Sequence, residues 1–241
     1  MRELPILFSG AMVRAVLDGR KTQTRRVVKP QPGPYWNPLV GAYNPTVIAN
    51  GGYEVPGSEI FGASDETEGR KSPYGQSGDR LWVRETWAQP AALDPGPTVY
   101  RADYPACVPA GFENVPPAET ITWKPSIHMP RALCRLMLEI SGVRVERLQD
   151  ISEEDALAEG VAQVDVERYE PDHSICRWCG GTRLYTAISA GGGALPDTDC
   201  LHCDTHVKRY EQLWEEINGA GTWETNPWVW VVEFRRVQCA N

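Results

Sequence analysis

The chain has no excess of positive charge and no long hydrophobic run. Its 241 residues carry a formal net charge of −8, which argues against a protein that relies on non-specific contacts with phosphates. The apolar run near Met1 is interrupted by Pro5 and ends at Ser9, which is too short for a signal peptide or a membrane helix. We therefore expect a cytoplasmic protein that has no membrane partner.

A disulfide framework is not expected either. The chain contains seven cysteines, an odd number, and reduced thiols in a cytoplasmic protein are the simplest interpretation. Hydrophobic residues make up 41% of the chain and charged residues 23%, which is typical of a soluble globular protein. A chain of this length can bury one core, or one core with a small appended module.

Four of the cysteines form two C-x-x-C pairs, Cys176 with Cys179 and Cys200 with Cys203. Two such pairs at this spacing predict a zinc-ribbon-like module inserted at 164–206, because each pair can present two thiolates to one tetrahedral ion. Four thiolates fill the coordination sphere, so we expect a structural Zn²⁺ and no catalytic cofactor. Two alternatives stay open: unrelated pairs of reduced thiols, or a histidine that replaces one thiolate. The nearby histidines are His173, His202 and His206.

Hydrophobic periodicity and turn residues predict a mostly β chain with short helices (α+β). We expect helices at 9–18, 151–160 and 204–218, and strands at 22–28, 80–87, 133–149 and 227–235. Gly142 marks a β-bulge in the long strand, and the apolar run of the last strand suggests burial on both faces. The Pro- and Gly-rich stretches 30–77 and 89–122 show no lasting periodicity and are expected to be insertions. The pattern fits a single domain, 1–241, built as a small β-barrel with insertions.

Residues 19–26, which we call the cationic octet, place one lysine and two hydroxyls among three arginines. Like charges repel, and this repulsion lowers the pKa of a lysine among them. A catalytic amine needs a lowered pKa, either as a nucleophile or as the base for a neighbouring hydroxyl. The candidate amine is Lys21 and the candidate hydroxyl is Thr24, although a surface lysine and an ordinary strand threonine are the plain alternatives. The cationic octet is the strongest indication of function in the sequence.

The motif G-x-K-x-x-T-x-R that begins at Gly19, directly after a short helix, resembles the signature of the ASCH superfamily. Members of that superfamily have a PUA-like β-barrel. The Gly78-Asp79 turn into a strand, the short helix at 152–160, and the closing helix and strand are similar in kind and order. The resemblance covers about half of the chain, because the Pro-rich segments and the zinc-ribbon-like insert lie outside it. These long insertions are similar to those of phage-encoded ASCH proteins.

Small bacterial members of this superfamily are N4-acetylcytidine amidohydrolases, and their proposed triad corresponds to Lys21, Thr24 and Glu159. The first two match within the motif, whereas Glu159 matches by its place near the end of the short helix. The resemblance implies hydrolysis of the N4-acyl amide of an N4-acylated cytidine or cytosine nucleoside, which gives cytidine and a carboxylate. The implied roles are a Thr24 nucleophile, a Lys21 base and a Glu159 that orients the lysine or shuttles its proton. The expected partner is a small-molecule nucleoside.

The backbone sets a condition on this triad, because residues three apart in a regular strand point to opposite faces. Lys21 and Thr24 can converge only if Lys21 lies in the turn after Gly19, or if a bulge separates the two. Arg26 is expected to stabilise the tetrahedral oxyanion with nearby backbone amides, while the other two arginines of the octet are expected to be bystanders. Further candidates for substrate binding are Arg84, Glu85, Trp87, Ser126 and His128.

Two other functions stay open. PUA-like barrels commonly bind RNA. The chain can therefore instead be an RNA-binding module or a ribonuclease. Such a protein would contact phosphates through the cations of the octet and make a second RNA contact through the zinc ribbon. The net charge of −8 weakens this alternative, and a steep loss of affinity with salt would mark it. A zinc hydrolase is the third possibility, and it requires an open position on the metal.

Overall fold

The computed structural model describes residues 1–65, 67–93, 96–161, 176, 178–179, 184–202 and 205–238. The helices in these ranges are α1 (Gly10–Leu17), α2 (Glu153–Ala158) and α3 (His206–Asn218). The strands are β1 (Glu3–Leu7), β2 (Gln23–Val27), β3 (Leu39–Tyr43), β4 (Thr46–Ile48), β5 (Glu54–Pro56), β6 (Ile60–Ser64), β7 (Gly69–Lys71), β8 (Arg80–Arg84), β9 (Trp87–Ala88), β10 (Val99–Tyr100), β11 (Met137–Arg147), β12 (Leu184–Ile188), β13 (Ala194–Asp199) and β14 (Trp228–Val237). The prediction of a mostly β chain with short helices is confirmed.

A five-stranded mixed sheet forms the centre of the fold, in the order β1-β8-β11-β14-β2. Strands β1 and β8 are parallel, and every other neighbouring pair is antiparallel. The ladder between β11 and β14 shifts register between Ile140 and Gly142, which confirms the predicted bulge. In β14, the four residues from Val229 to Val232 are all buried, so the prediction that this strand is covered on both faces is also confirmed.

The helices begin and end close to their predicted limits because the capping residues are present. Ser9 Oγ accepts a hydrogen bond from the Met12 N–H at 3.4 Å, and Gly19 follows α1 with a φ of +74°. At α2, Ser152 Oγ accepts from the Asp155 N–H at 3.1 Å, and Gly160 follows with a φ of +93°. No helix in the described ranges has the length and apolar character needed to cross a membrane.

Each face of the central sheet carries its own core. On one face, α1 packs with the sheet around Val13, Leu81 and Trp230. On the other face, α2 and α3 cover Val229 and Val231. Helix α3 supplies Tyr210, Leu213 and Trp214 to this second core. The sheet is therefore sandwiched between helices on its two faces.

The two end strands of the sheet, β1 and β2, approach each other at one point. The Arg26 guanidinium on β2 donates to the Leu7 carbonyl at the end of β1, at 2.8 Å. No ladder joins these strands among the described residues, so the strand order keeps two ends. The predicted barrel is not confirmed, and what the fold establishes is a five-stranded mixed sheet with several small sheets.

The segments expected as irregular insertions contain short strands. Residues 30–77 include β3, β6 and β7 in one small antiparallel sheet and β4 with β5 in another. These strands have three to five residues, too few for a clear alternation of polar and apolar positions. Strand β9 ends just before 89–122, and β10 lies within this segment and pairs with β9. Leu93, Val99 and Ile121 of the segment form a separate apolar cluster with Ala88.

Candidate functional site

Lys21 lies outside strand β2, two residues before it begins. Its backbone forms an isolated antiparallel bridge with Glu159, at the end of α2. The Lys21 N–H donates to the Ala15 carbonyl at 3.0 Å, and the next residue donates its N–H to the Ala158 carbonyl at 2.8 Å. The chain after Gly19 therefore joins the ends of α1 and α2, and the condition that Lys21 lies outside a regular strand is met.

The side chains of Lys21 and Glu159 form a buried ion pair. Lys21 Nζ donates to Glu159 Oε2 at 2.7 Å and to the backbone carbonyl of the same residue at 2.8 Å. The exposed fractions of the two side chains are 0% and 2%. Burial lowers the pKa of Lys21, and the Glu159 carboxylate opposes this effect. The arrangement keeps a lysine of lowered pKa in a fixed position beside a carboxylate.

Repulsion within the octet contributes less to this lowered pKa than the sequence alone suggests. Desolvation is the largest cause, while Arg26 and Arg25 add smaller effects in the same direction. The expected lowering of the Lys21 pKa is confirmed, but its main cause is the burial of the side chain. Repulsion from the neighbouring arginines has a smaller effect. The ring of Phe8 forms part of this enclosure, with its centroid 5.7 Å from Lys21 Nζ.

Arg25, expected to be a bystander, is part of the site. Its side chain is fully buried, and its Nη1 donates to Glu159 Oε1 at 3.2 Å. The same guanidinium also binds Glu146 and donates to Asp155 Oδ2 at 2.8 Å. Glu159 thus holds Lys21 on one oxygen and Arg25 on the other. The sequence did not predict this contact, because the carboxylates that meet Arg25 lie far from it in the chain.

Arg20 behaves differently. Its guanidinium donates to the Gly160 carbonyl at 2.6 Å and pairs with Asp18 at 3.1 Å. These contacts lie on the segment after Gly19 whose backbone hydrogen bonds join the ends of α1 and α2. Arg20 therefore stabilises the junction that positions Lys21 and Glu159, without contacting either side chain among the described contacts.

A cavity of about 380 Å³, which we call the β2 cavity, lies beside the Lys21–Glu159 pair. Glu159 and four consecutive residues of β2, from Thr24 to Val27, contribute to its lining. One side is formed by Met12, Tyr74 and Trp230, and the other by Tyr210, Leu213 and Trp214. These two groups belong to opposite faces of the sheet. Since consecutive strand residues also alternate between faces, the β2 cavity follows the outer edge of β2.

The backbone of β2 offers hydrogen-bonding groups toward this cavity. The Phe234 N–H donates to Thr22, and the Val28 N–H donates to Trp228. In an antiparallel ladder such pairs alternate along the strand, so the intervening residues Arg25 and Val27 point their N–H and C=O groups away from β14. The cavity edge therefore combines backbone donors and acceptors with the Thr24 and Arg26 side chains.

Thr24 is 1% exposed and lines the cavity together with Glu159 and Arg26. Lys21 Nζ donates to Glu159, and no hydrogen bond between Lys21 and Thr24 is present among the described contacts. The structure thus brings Lys21 and Glu159 into contact and places Thr24 and Arg26 around the same cavity. Their catalytic and binding roles stay predictions.

The other five substrate-binding candidates lie outside the lining of the β2 cavity. The Arg84 guanidinium donates to the Ile127 carbonyl, which lies between Ser126 and His128 in a 3₁₀ turn. These three candidates are therefore neighbours of one another. They form a group on the side of β8, apart from Thr24 and Glu159 in the lining.

Glu85 and Trp87 have structural partners. Glu85 accepts two hydrogen bonds from Arg135, at 2.8 and 2.9 Å, and burial raises the pKa of Glu85. Trp87 is 6% exposed, and Lys124 Nζ lies 4.5 Å from the centroid of its ring. The structure explains their burial through contacts within the protein.

Sequence reasoning missed Tyr210 and Asp155 as members of this region. The Arg25 guanidinium lies 5.8 Å from the centroid of the Tyr210 ring, and burial raises the pKa of Tyr210 well above its usual range. Asp155 precedes Glu159 by one helical turn, so both carboxylates project from the same face of α2. This spacing is the signal that could have identified Asp155.

The cysteine pairs converge as predicted wherever the structure describes them. The sulfur atoms of Cys176, Cys179 and Cys200 all lie within 4.8 Å of one another, and all three residues are buried. Cys203 and His173 lie outside the described residues. Three close, buried thiols of this kind can hold a metal ion.

The two described histidines of this segment have other contacts. The ring of His202 stacks on Trp178, with a centroid distance of 4.5 Å. His206 Nδ1 lies 3.0 Å from Glu153 Oε2, and the same carboxylate accepts the backbone N–H of His206 at the start of α3. These contacts do not favour a histidine ligand from either position.

Comparisons with known proteins identify no relative. No protein-family model, curated protein or solved structure matches the chain.

Proposed function

We propose that this protein hydrolyses the N4-acyl amide of an N4-acylated cytidine or cytosine nucleoside, in an ASCH-type, PUA-like fold. The observation that carries the proposal is the buried Lys21–Glu159 pair, with Nζ and Oε2 2.7 Å apart, beside a cavity lined by Thr24. Amide hydrolysis needs a nucleophile and a base, and the proposal gives these roles to the Thr24 hydroxyl and to the enclosed Lys21 amine of lowered pKa. The motif resemblance described above supplies the substrate class.

In the proposed reaction, Thr24 Oγ1 attacks the acyl carbonyl and gives its proton to the neutral amine of Lys21. The carbonyl electrons move onto the oxygen, where Arg26 and backbone N–H groups stabilise the charge. When the tetrahedral intermediate collapses, the C–N bond breaks and the N4 amine leaves with the proton from Lys21. Water then attacks the carbonyl of the Thr24 ester and gives a proton to Lys21. The bond between the acyl carbon and Thr24 Oγ1 breaks, Oγ1 takes the proton from Lys21, and the carboxylate is released.

Two features of the site bear on whether Lys21 can act as this base. Burial lowers the pKa of Lys21, which favours the neutral amine, while Glu159 favours the ammonium form. Arg25 occupies the other oxygen of Glu159 at 3.2 Å, and this shared charge limits how strongly the carboxylate holds the proton on Lys21. Glu159 thus has the orienting role of the third member of a catalytic triad.

The β2 cavity suits a nucleoside in size and in polarity. Its volume of about 380 Å³ falls in the range of small-molecule sites, roughly 300–1,000 Å³. The N–H and C=O groups that Arg25 and Val27 turn outward can pair with the donors and acceptors on the edge of a cytosine base. Aromatic side chains such as Tyr74 and Trp214 provide flat apolar walls for the base.

The RNA-binding alternative receives less support from the octet. Lys21 and Arg25 have side chains that are 0% exposed and paired with carboxylates, so they do not offer free charges to a phosphate backbone. Among the described contacts, Arg26 is the one cation of the octet without a carboxylate partner. A nuclease or RNA-binding module would need cations elsewhere on the surface.

We further propose that the cysteine cluster holds a structural Zn²⁺, with Cys203 as the fourth ligand. Thiolates are preferred zinc ligands, and four of them leave no open position for a substrate or water. The cluster involves Cys176, Cys179 and Cys200, none of which lines the β2 cavity. Bound zinc would stabilise this module and take no part in the reaction.

The test is to incubate the protein with N4-acetylcytidine and follow the ultraviolet change as cytidine forms. Thr24→Val, which keeps the shape of the side chain and removes the hydroxyl, should reduce kcat by at least about 100-fold. Lys21→Met and Glu159→Gln should also abolish turnover. Thr22→Val is the matched control, because Thr22 carries an exposed hydroxyl of the same octet and should keep wild-type activity.

Two results would contradict the proposal. One is a folded wild-type protein, verified by circular dichroism, that does not hydrolyse N4-acetylcytidine or related acyl derivatives. The other is a Thr24→Val variant that keeps wild-type activity, since that result removes the nucleophile from the mechanism.

A further inference from the structure

The charges that line the β2 cavity are unequal at its two ends. At the end near Glu159, the carboxylate pairs with Lys21 and with Arg25. Elsewhere in the lining stand the cations Arg26, Lys29 and Lys71. None of these three has an ion pair with a carboxylate among the described contacts. The cavity therefore has a balanced end and a cationic end.

The three cations come from separate parts of the chain. Arg26 is on β2 and shares a face with Thr24, two residues or about 7 Å away along the strand at 3.3 Å per residue. Lys29 follows β2 by two residues, and Lys71 ends β7 in the segment that sequence analysis treated as an insertion. Both lysines are exposed, so the cationic end is also the end that opens to solvent.

Such a concentration of positive charge is unusual for this protein, which has a formal net charge of −8. Separate cations that converge on one cavity repel each other, and an anion that binds between them removes the repulsion. A phosphate monoester carries about −1.5 to −2 charges at pH 7 and has three acceptor oxygens. It therefore matches the charge of two ammonium groups, those of Lys29 and Lys71.

We propose that Lys29 and Lys71 bind the phosphate of a nucleoside monophosphate, while Arg26, which shares a face of β2 with Thr24, stays beside the acyl group as in the proposed reaction. The preferred substrate is then an N4-acylated cytidine monophosphate, in place of the free nucleoside. The choice of base rests on the proposed function, whereas the phosphate rests on the charges of the cavity alone. The base would lie along the edge of β2 toward Thr24 and Glu159, and the phosphate at the mouth of the cavity.

A free mononucleotide fits these observations better than a nucleotide within RNA. Lys29 and Lys71 line one cavity of about 380 Å³, which can enclose a single phosphate group. The overall negative charge of the protein would also repel a long polyanion, whereas a mononucleotide is affected mainly by the positive charges that line the cavity. An N4-acetylcytidine-containing oligonucleotide therefore serves as a competing ligand in the test.

The test measures the affinity of the protein for cytidine 5′-monophosphate and for cytidine by isothermal titration calorimetry, so it does not depend on turnover. The wild type should bind the monophosphate about tenfold more tightly than cytidine at low salt, and the difference should shrink as salt is added. Lys29→Ala and Lys71→Ala should each weaken monophosphate binding by up to about fivefold. They should therefore lower the ratio of the two affinities.

Lys124→Ala is the matched control, because it removes one exposed lysine charge that does not line the cavity. This variant should keep the wild-type ratio. Equal affinity for the two ligands, no binding of either, or an unchanged ratio in both lysine variants would overturn the phosphate site. Tighter binding of the oligonucleotide than of the monophosphate would overturn the choice of a mononucleotide.

The two proposals can fail separately. If the protein prefers the monophosphate but hydrolyses no N4-acylated cytidine derivative, the phosphate site stands and the amidohydrolase proposal fails. If it hydrolyses N4-acetylcytidine and its monophosphate with the same kcat/KM and binds both products equally, the phosphate site fails and the amidohydrolase proposal stands.

Discussion

Replacing Glu159 with glutamine should destabilise the protein in a manner that depends strongly on pH. The substitution keeps the size of the side chain and removes the charge that faces the buried Lys21 ammonium at 2.7 Å. Removing one partner of a buried ion pair costs about 3–5 kcal/mol, because the remaining charge is left without compensation. We expect a loss of this size in the free energy of unfolding at pH 7, out of a total of about 5–15 kcal/mol for a typical protein.

The direction of the pH dependence follows from Lys21. Burial lowers its pKa below the ordinary 10.5 in the folded protein, and Glu159 opposes that effect. Without the carboxylate the pKa falls further, so between this value and 10.5 the unfolded chain binds more protons than the folded one. Stability of the variant then rises with pH in that window, by up to about 1.4 kcal/mol per pH unit. Because Glu159 keeps the wild-type pKa of Lys21 higher than that of the variant, the destabilisation relative to wild type should shrink as the pH rises from the Lys21 pKa of the variant to that of the wild type.

Urea unfolding followed by tryptophan fluorescence at pH 7, 8, 9 and 10 measures this difference, since the chain has nine tryptophans. Lys21→Met is the companion variant. It leaves Glu159 with its Arg25 partner at 3.2 Å, so it should cost less than Glu159→Gln. The double variant should be more stable than the sum of the two single effects predicts. A loss below about 1 kcal/mol at pH 7 that stays constant up to pH 10 would refute the reasoning.

Two further predictions concern the frame around the site and the cysteine cluster. Gly160→Ala should destabilise the protein by about 2–4 kcal/mol, because φ is +93° and the new Cβ would lie 2.8 Å from the Ala15 Cβ. Gly78→Ala, with a φ of +87° and no atom within 4 Å, should cost only about 1 kcal/mol; equal urea midpoints for the two variants would contradict this. Cys176→Ser should release zinc, measured as bound metal per chain after gel filtration, and lower the melting temperature. Purified wild type that binds no zinc would refute the metal proposal.

Much of the fold follows from local signals in the sequence. The caps at Ser9 and Ser152 and the glycines after α1 and α2 mark helix limits through backbone chemistry that needs no tertiary partner. The bulge at Gly142 and the apolar run of β14 are local in the same sense. The strands within 30–77 were missed because three to five residues give too little pattern, and their pairing depends on partners that lie elsewhere in the chain.

The site was predictable to a smaller degree. Lys21 and Thr24 were singled out by the charge pattern and the motif, and the contact of Lys21 with Glu159 agrees with the implied triad. The involvement of Arg25 was not predictable, because its partner Glu146 lies on β11 and meets it only after the sheet forms. Lys71 was overlooked because it stands in a stretch without periodicity.

The physical cause of the lowered Lys21 pKa indicates which roles the arginines of the octet have. If repulsion were the main cause, Arg25 would have to stay unpaired to exert it. Arg25 is instead paired with carboxylates, and desolvation is the largest effect on Lys21. Burial thus lowers the pKa of the Lys21 amine, and the role left to Arg25 is to hold the Glu159 carboxylate in place. Among the described contacts, Arg26 is the cation of the octet without a carboxylate partner, and it stands in the lining where the oxyanion of the proposed reaction would lie.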